Sequence, residues 1–338
     1  MDRKFRVGFC SLVHDHVWGE LRHWLNHPKV EIVAVGEESE RLRQKATEAG
    51  IPKTYDSWQA LLENEQVDIV QAASDNATCA DITEAAMAKG AHVISEKPMA
   101  ATLEQANRML AASKKVGKYL MINWPHIWDP AYQEWERRVL GGEIGRVLHI
   151  KRRNAHNGPK EIGCDPAFWE WLYDAKRNGA GAFMDYCCYG ADIAARILGL
   201  PKRVTGIRGV LAKDYPVPDD NAIILLQYDK AFAQVEASWT EVVRAPGPYT
   251  VAYGTMGVCA LVGDKVILSK PGGNTEEIKP QPLEYPLRNG PEYLIHCIES
   301  GVAVEGCSSP QVSRDAQEIL EAGLRSSDSG QHITLPIS

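Results

Sequence analysis

The chain has 338 residues, of which 44% are apolar and 24% charged, with a formal net charge of −7. That length suits about two soluble domains. The negative balance, with no basic stretch to offset it, argues against a nucleic-acid binder held by phosphate contacts, and no apolar run is long enough to span a bilayer.

Met1-Asp2-Arg3-Lys4-Phe5 lacks the apolar core of a secretion signal. Eight cysteines are scattered, only Cys187 and Cys188 being adjacent, and no Cys-x-x-Cys pair suggests zinc. The expectation is a cytoplasmic protein with reduced thiols, no membrane association and no metal. His14, His16, His23 and His27 have no suitably placed acidic partner that would make a metal site specific.

Phe5–Cys10 predicts a first buried strand, residues 18–27 a helix ending at Pro28, and Val30–Gly36 a second strand. Arg41–Ala49 predicts a helix closed by Gly50, and Trp58–Glu63 a short one. Val67–Gln71 reads as a strand, Ala77–Lys89 as a helix closed by Gly90, and Val93–Ser95 as a short buried strand. A helix over about 102–115 and a strand Lys118–Ile122 complete a strict alternation. Such alternation predicts a doubly wound parallel sheet of the dinucleotide-binding kind over residues 1–124.

Ligands bind where such strands end. At the end of the Val93 strand stand Glu96, Lys97 and Pro98. A lysine there can hold positive charge against a reacting hydroxyl, and the proline limits how Lys97 moves. After the first strand the chain reads Cys10-Ser11-Leu12-Val13-His14-Asp15-His16, without the G-x-G-x-x-G fingerprint. Ser11, Leu12 and the loop amides are therefore the candidates for holding phosphate. Glu37, just past the second strand, is placed to accept from a ribose 2′-hydroxyl, which favours NAD; Arg41 and Arg43 follow closely and leave NADP open.

Ser74-Asp75-Asn76 and then Gly90-Ala91-His92-Val93-Ile94-Ser95-Glu96-Lys97-Pro98 resemble the Gfo/Idh/MocA family, the glucose-fructose oxidoreductases, inositol dehydrogenases and their relatives. Gly142-Glu143-Ile144-Gly145 and the tail Ser313–Ser327 are similar to that family too. The resemblance implies a Rossmann domain followed by an α/β domain, here residues 125–338, with a large open, mostly antiparallel sheet for substrate binding and oligomerisation. It adds Ser74, Asn76, Glu96 and Lys97 as cofactor-binding candidates beside Ser11, Leu12 and Glu37. Candidate strands in the second domain are Val147–Arg153, Arg203–Val210, Ala222–Tyr228, Phe232–Trp239 and Tyr249–Tyr253. Candidate helices lie near 130–140, 185–198, 290–300 and 311–325. Asp229-Lys230 marks a hairpin.

Asn178-Gly-Ala-Gly-Ala182 feeds a helix in which Asp185, Tyr189 and Asp192 share one face. In the family this segment resembles three glycines, an aspartate, then histidine or tyrosine four residues on. The tyrosine form is similar to the glucose-fructose oxidoreductase and dihydrodiol dehydrogenase branches. Oxidising a secondary alcohol removes a proton from oxygen as hydride leaves carbon. The catalytic candidates are thus Lys97 for charge and orientation, and Tyr189 or Asp185 for the proton. Taken singly, Asp185 also fits a helix-start carboxylate and Tyr189 a core aromatic.

Aromatic and polar side chains suited to a sugar ring add His126, Trp128, His156, Trp169 and Arg177 to Lys97, Asp185 and Tyr189 as substrate-binding candidates. No basic cluster marks a phosphate pocket, so an unphosphorylated polyol or sugar is expected. The leading reading is an NAD(P)-dependent oxidoreductase acting on a sugar, cyclitol or diol as a homo-oligomer, dimer or tetramer. A glycosidase using transient oxidation and a non-enzymatic dinucleotide sensor are the alternatives.

Overall fold

In the computed structural model, which describes residues 3–337, six parallel strands form the first sheet. They are β1 (Phe5–Cys10), β2 (Val30–Gly36), β3 (Thr54–Tyr55), β4 (Ile69–Ala72), β5 (His92–Glu96) and β6 (Leu120–Asn123), in the order β3-β2-β1-β4-β5-β6. Between them run α1 (Val17–Leu25), α2 (Glu40–Glu48), α3 (Trp58–Asn64), α4 (Cys79–Ala88) and α5 (Leu103–Val116). The strand order reverses between β1 and β4, which opens a crevice beyond their carboxyl ends. Met1 and Asp2, the start of the segment read for a leader, and Ser338 lie outside the described residues.

Local chemistry accounts for these elements. The four residues of β4 and the last four of β5 are buried, as strands covered on both faces must be. In α5 the Thr102 hydroxyl accepts from the Gln105 amide and the Gln105 side chain accepts from the Thr102 amide, a reciprocal cap, and Gly117 at φ 65° ends the helix. The short strand β3 was not anticipated; at two residues it is too brief to show a period.

Beyond a 3-10 turn, Pro125–Trp128, come α6 (Pro130–Leu140), β7 (Val147–Ala155), α7 (Pro166–Leu172), α8 (Ala175–Asn178) and α9 (Ala182–Leu198). The rest of the second sheet follows as β8 (Arg203–Gly209), β9 (Asn221–Gln227), β10 (Phe232–Ser238), β11 (Thr250–Gly254), β12 (Val258–Val262), β13 (Lys265–Lys270) and β14 (Asn274–Ile278). Then come α10 (Gly290–Ser300), α11 (Pro310–Ser329) and β15 (Ile333–Thr334). The order is β14-β13-β12-β11-β7-β10-β9-β8-β15, antiparallel throughout except for the β7–β10 pair. Asp229-Lys230 does turn the β9–β10 hairpin, closed by Tyr228 N–H to Ala231 O. Strands β12 to β15 and helices α7 and α8 are additions to the expected set. The α7 start carried a signal, Asp165 capping and Pro166 in the first turn, which its tryptophans obscured.

Helix α9 lies on one face of this sheet, with Gly190 against Val235. The α9 N-terminus has no cap of its own. Asp219, far along the chain, accepts from the amides of Gly181 (3.0 Å) and Phe183 (2.7 Å). A side chain at Gly181 would meet the Asp219 carbonyl oxygen at 2.1 Å, so only glycine lets the helix start there. Helix α10 contributes Leu294, Ile295 and Cys297 to the core around Val7 and Trp24, so the first sheet's core draws on residues well beyond 124. All eight cysteines are free thiols, and no helix among the described residues is long and apolar enough to cross a membrane.

Candidate active site

The end of β5 and the face of α9 meet. Lys97 Nζ donates to Asp185 Oδ1 at 2.8 Å, with both side chains buried. Trp239, at the end of β10, donates its indole N–H to Asp185 Oδ2 at 3.2 Å. Burial works against charge on Asp185, yet the Lys97 ammonium, His156 and the Trp239 bond together hold its carboxyl below the usual range. Burial likewise opposes the Lys97 charge, and the Asp185 carboxylate overrides it, so the ammonium persists well above its ordinary range.

Tyr189 lies one turn along α9, its ring centroid 5.2 Å from Lys97 Nζ and 5.9 Å from the Arg152 guanidinium carbon. The Lys97 charge does favour the Tyr189 phenolate, but it is not the largest influence on it. Burial dominates and pushes the Tyr189 phenol up; the Lys97 charge only offsets part of that. His156 sits edge-on to Tyr186 (4.8 Å) and accepts from the Gly158 amide through Nδ1 (2.7 Å), which leaves its proton on Nε2. Burial lowers the pKa of this imidazole, against the pull of the Asp185 carboxylate.

His126 is enclosed by Tyr132 (4.4 Å), Tyr189 (5.5 Å) and Trp124 (5.8 Å). Neither ring nitrogen has a partner, and Asp192 Oδ2 stands 3.9 Å away with both carboxyl oxygens also unpartnered. Burial raises Asp192 well above the ordinary range. Trp128 is not turned toward this site. Its N–H goes to Asn123 Oδ1 (2.9 Å), and Asn123 in turn donates to Glu96 (2.9 Å), so it braces the strand ends. Trp169 packs beside Tyr173 (5.6 Å), which in turn touches Trp239. Arg177 is displaced from its expected role as well: it pairs with Asp75 (2.9 Å) at the crevice between β1 and β4.

That crevice holds a cavity of about 160 Å³ lined by Ser11, Val13, Glu37, Ser74, Asp75 and Arg177. Ser11 stands at φ 68°, the left-handed conformation usually left to glycine. The loop does not hold its amides free for phosphate: Ser11 N–H goes to Gly36 O (2.8 Å), Leu12 N–H to Glu37 (2.6 Å) and His14 N–H to Ala73 O (3.1 Å). Glu37 also accepts from the Ser11 hydroxyl (3.0 Å) and the Ser39 amide (2.8 Å). Three of its roughly four acceptor positions are filled, and one is left for a ribose hydroxyl. The residues thus fit a dinucleotide, through side chains more than through a glycine-lined loop. Asn76 donates to both oxygens of Asn178 (2.8 and 3.1 Å), tying this crevice to the second half of the chain.

The acidic partner missing from the sequence around His14 and His16 is Glu96, whose Oε2 is 3.0 Å from His16 Nδ1, with His14 close by. Glu20, pushed up to about 8 by burial and then by the Glu96 charge, stands beside it. Residues missed in the sequence are Trp239, Arg152, Asp219 and Glu20. For Trp239 a signal existed, a lone aromatic closing an alternating strand; Asp219 and Glu20 carried none.

An oxidoreductase-family model with an NAD-binding Rossmann fold matches residues 17–124, beginning just after the atypical loop, and the GFO/IDH/MocA C-terminal domain matches 132–260. The chain belongs to the Gfo/Idh/MocA family. It is 28% identical over 221 residues to scyllo-inositol 2-dehydrogenase (NAD(+)) of Bacillus subtilis, covering 63% of this chain and 61% of that one. It is 35% identical over 139 residues to D-apiose dehydrogenase of Paraburkholderia graminis, covering 41% and 36%. The matched stretches therefore span less than two thirds of these relatives. Among solved structures, aldose-aldose oxidoreductase from Caulobacter crescentus complexed with glycerol aligns with TM-score 0.80 at 21% identity, covering 98% of this chain and 100% of that one. Levoglucosan dehydrogenase in complex with NADH and levoglucosan gives 0.81 at 19%, covering 99% and 98%. At these identities the structures establish the shared fold.

Proposed function

We propose that this Gfo/Idh/MocA protein is an NAD(P)-dependent oxidoreductase moving hydride between nicotinamide and a secondary alcohol of a sugar, cyclitol or diol. The observation that carries it is the buried Lys97–Asp185 pair, 2.8 Å across, at the carboxyl end of a Rossmann strand. The bound dinucleotide supplies the hydride acceptor or donor. Lys97 keeps a full positive charge beside the reacting oxygen, and Asp185 keeps Lys97 charged and aimed. When the alcohol is oxidised its proton passes to this pair; when the carbonyl is reduced Lys97 returns it. Tyr189, its proton held by burial, orients the hydroxyl as a hydrogen-bond partner and is not the standing base.

NAD is the favoured cofactor. Glu37 would repel a 2′-phosphate, and both nearby arginines are already engaged elsewhere. Arg41 grips Asp165 with two bonds (2.5 and 2.9 Å), and Arg43 donates to the Glu37 and Glu38 carbonyls. A homo-oligomer is supported by the outer face of the second sheet, where Ile207, Ile223, Leu225 and Phe232 stand exposed in alternation with buried neighbours. The test is a screen of sugars and cyclitols with NAD and NADP, following absorbance of the reduced ring. Cofactor binding without any turnover would leave the sensor reading in its place.

A further inference from the structure

Arg152 lies on the face of β7 that carries Ile150 and Asn154, near the Tyr189 turn of α9. A guanidinium stays charged at any physiological pH. A charge removed from water needs a partner of opposite sign or a full set of hydrogen bonds. Lys97, the other cation bordering Tyr189, has Asp185 as its counter-ion. Arg152 has none. Among the described residues no carboxylate lies in ion-pair contact with it; Asp129 acts only at longer range, and Arg244 adds like charge. Its partners are neutral, Asn154 Oδ1 (2.6 Å) through Nε and the Thr250 hydroxyl through Nη1. Those two bonds fix the guanidinium plane and leave further N–H donors beside the Tyr189 ring.

We infer that Arg152 binds a carboxylate of the substrate, so that the alcohol oxidised belongs to a sugar or polyol acid of the aldonate or uronate class. This inference rests on the reading of Lys97 and Tyr189 as the reacting end. Lys97 Nζ and the Arg152 carbon lie 5.2 and 5.9 Å from the same ring centroid, so both cations border Tyr189, and the carboxylate is assigned to the one without a counter-ion. One fork with N–H groups to spare matches a monoanionic, planar carboxylate; a phosphate dianion calls for a cluster of donors. The neighbouring His126 is neutral, its pKa lowered by burial and then by Arg152 itself, and offers no second charge.

The test compares gluconate and glucuronate with glucose, glucitol and glucose 6-phosphate, in wild type and in Arg152→Met, Arg152→Gln and Arg152→Lys. Circular dichroism confirms that each variant is folded. The wild type should favour an acid over its neutral parent at least tenfold in kcat/KM. Arg152→Met and Arg152→Gln should erase that preference, their loss on the acid exceeding their loss on the neutral sugar by at least tenfold and falling mainly on KM. Arg152→Lys should retain part of it. Equal use of neutral and acid, a preference for the phosphate, or equal losses on both classes would overturn the assignment. If no compound is turned over, the hydride-transfer reading fails by itself. Calorimetric titration of gluconate against glucose into NADH-loaded wild type and Arg152→Met then decides, and binding indifferent to Arg152 refutes the carboxylate site.

Discussion

Lys97 and Asp185 are 88 residues apart in the chain and joined by a 2.8 Å hydrogen bond between two buried side chains. Removing one partner leaves the other charged and buried. Lys97→Met is expected to lose about 3–5 kcal/mol of stability. The double variant Lys97→Met/Asp185→Leu should regain most of it, and turnover should be lost in both. Urea midpoints and NADH formation measure the two effects separately. Asp185 titrates below its ordinary 3.8 in the fold. Its contribution is therefore complete above about that pH and lost on acidification through the lower folded value.

The phenol of Tyr189 keeps its proton because burial outweighs the Lys97 charge. Tyr189→Phe should slow turnover about tenfold, the worth of one hydrogen bond to the reacting oxygen. The shape of the kcat–pH profile between pH 6 and 10 should stay the same. Loss of a limb from that profile would identify Tyr189 as the titrating base.

Asp192 has its carboxyl buried with the Cys307 thiol and His126 beside it, and burial raises it well above 3.8. Such a group favours folding below its unfolded pKa, and the benefit is lost as pH rises through the folded one. Asp192→Asn removes that slope. Thermal melts at pH 5 and pH 8 should show a smaller difference in the variant, with a gain at pH 8 of about 1 kcal/mol.

Glu37 fastens Ser11, Leu12 and Ser39 at once. Glu37→Ala should raise the KM for NAD by about tenfold to a hundredfold, as expected for losing a charged acceptor, and should narrow the NAD-over-NADP ratio. Steady-state kinetics with both cofactors read this directly.

If the exposed apolar face of β8 to β10 meets a second copy, Leu225→Glu with Phe232→Glu should shift the mass in light scattering to that of one chain. An unchanged mass would move the contact elsewhere.

The strand–helix alternation was legible because β1, β2, β4, β5 and β6 are short apolar runs bounded by turn residues. Lys97, Asp185 and Tyr189 were legible because a strand end and a helical four-residue spacing are local patterns. What binds them was not. Trp239, Asp219 and Arg152 reach the site through the pairing of β7 with β10 and the fold-back of the loop before β9, which no local window contains. Arg177 and Trp128 misled because residue type suggests a role while only placement assigns one. In the loop Ser11–His16 the backbone donors of Ser11, Leu12 and His14 go to Gly36, Glu37 and Ala73, partners that no local window shows.

Two kinds of fastening hold the first half of the chain to the second across the crevice. Asn76 and Asn178 are buried, whereas the side chains of Arg41 and Arg177, paired with Asp165 and Asp75, are partly in solvent. Ionic strength loosens only the outer two. Moderate salt should thus weaken the two ion pairs at the rim and leave the buried Asn76–Asn178 bonds in place.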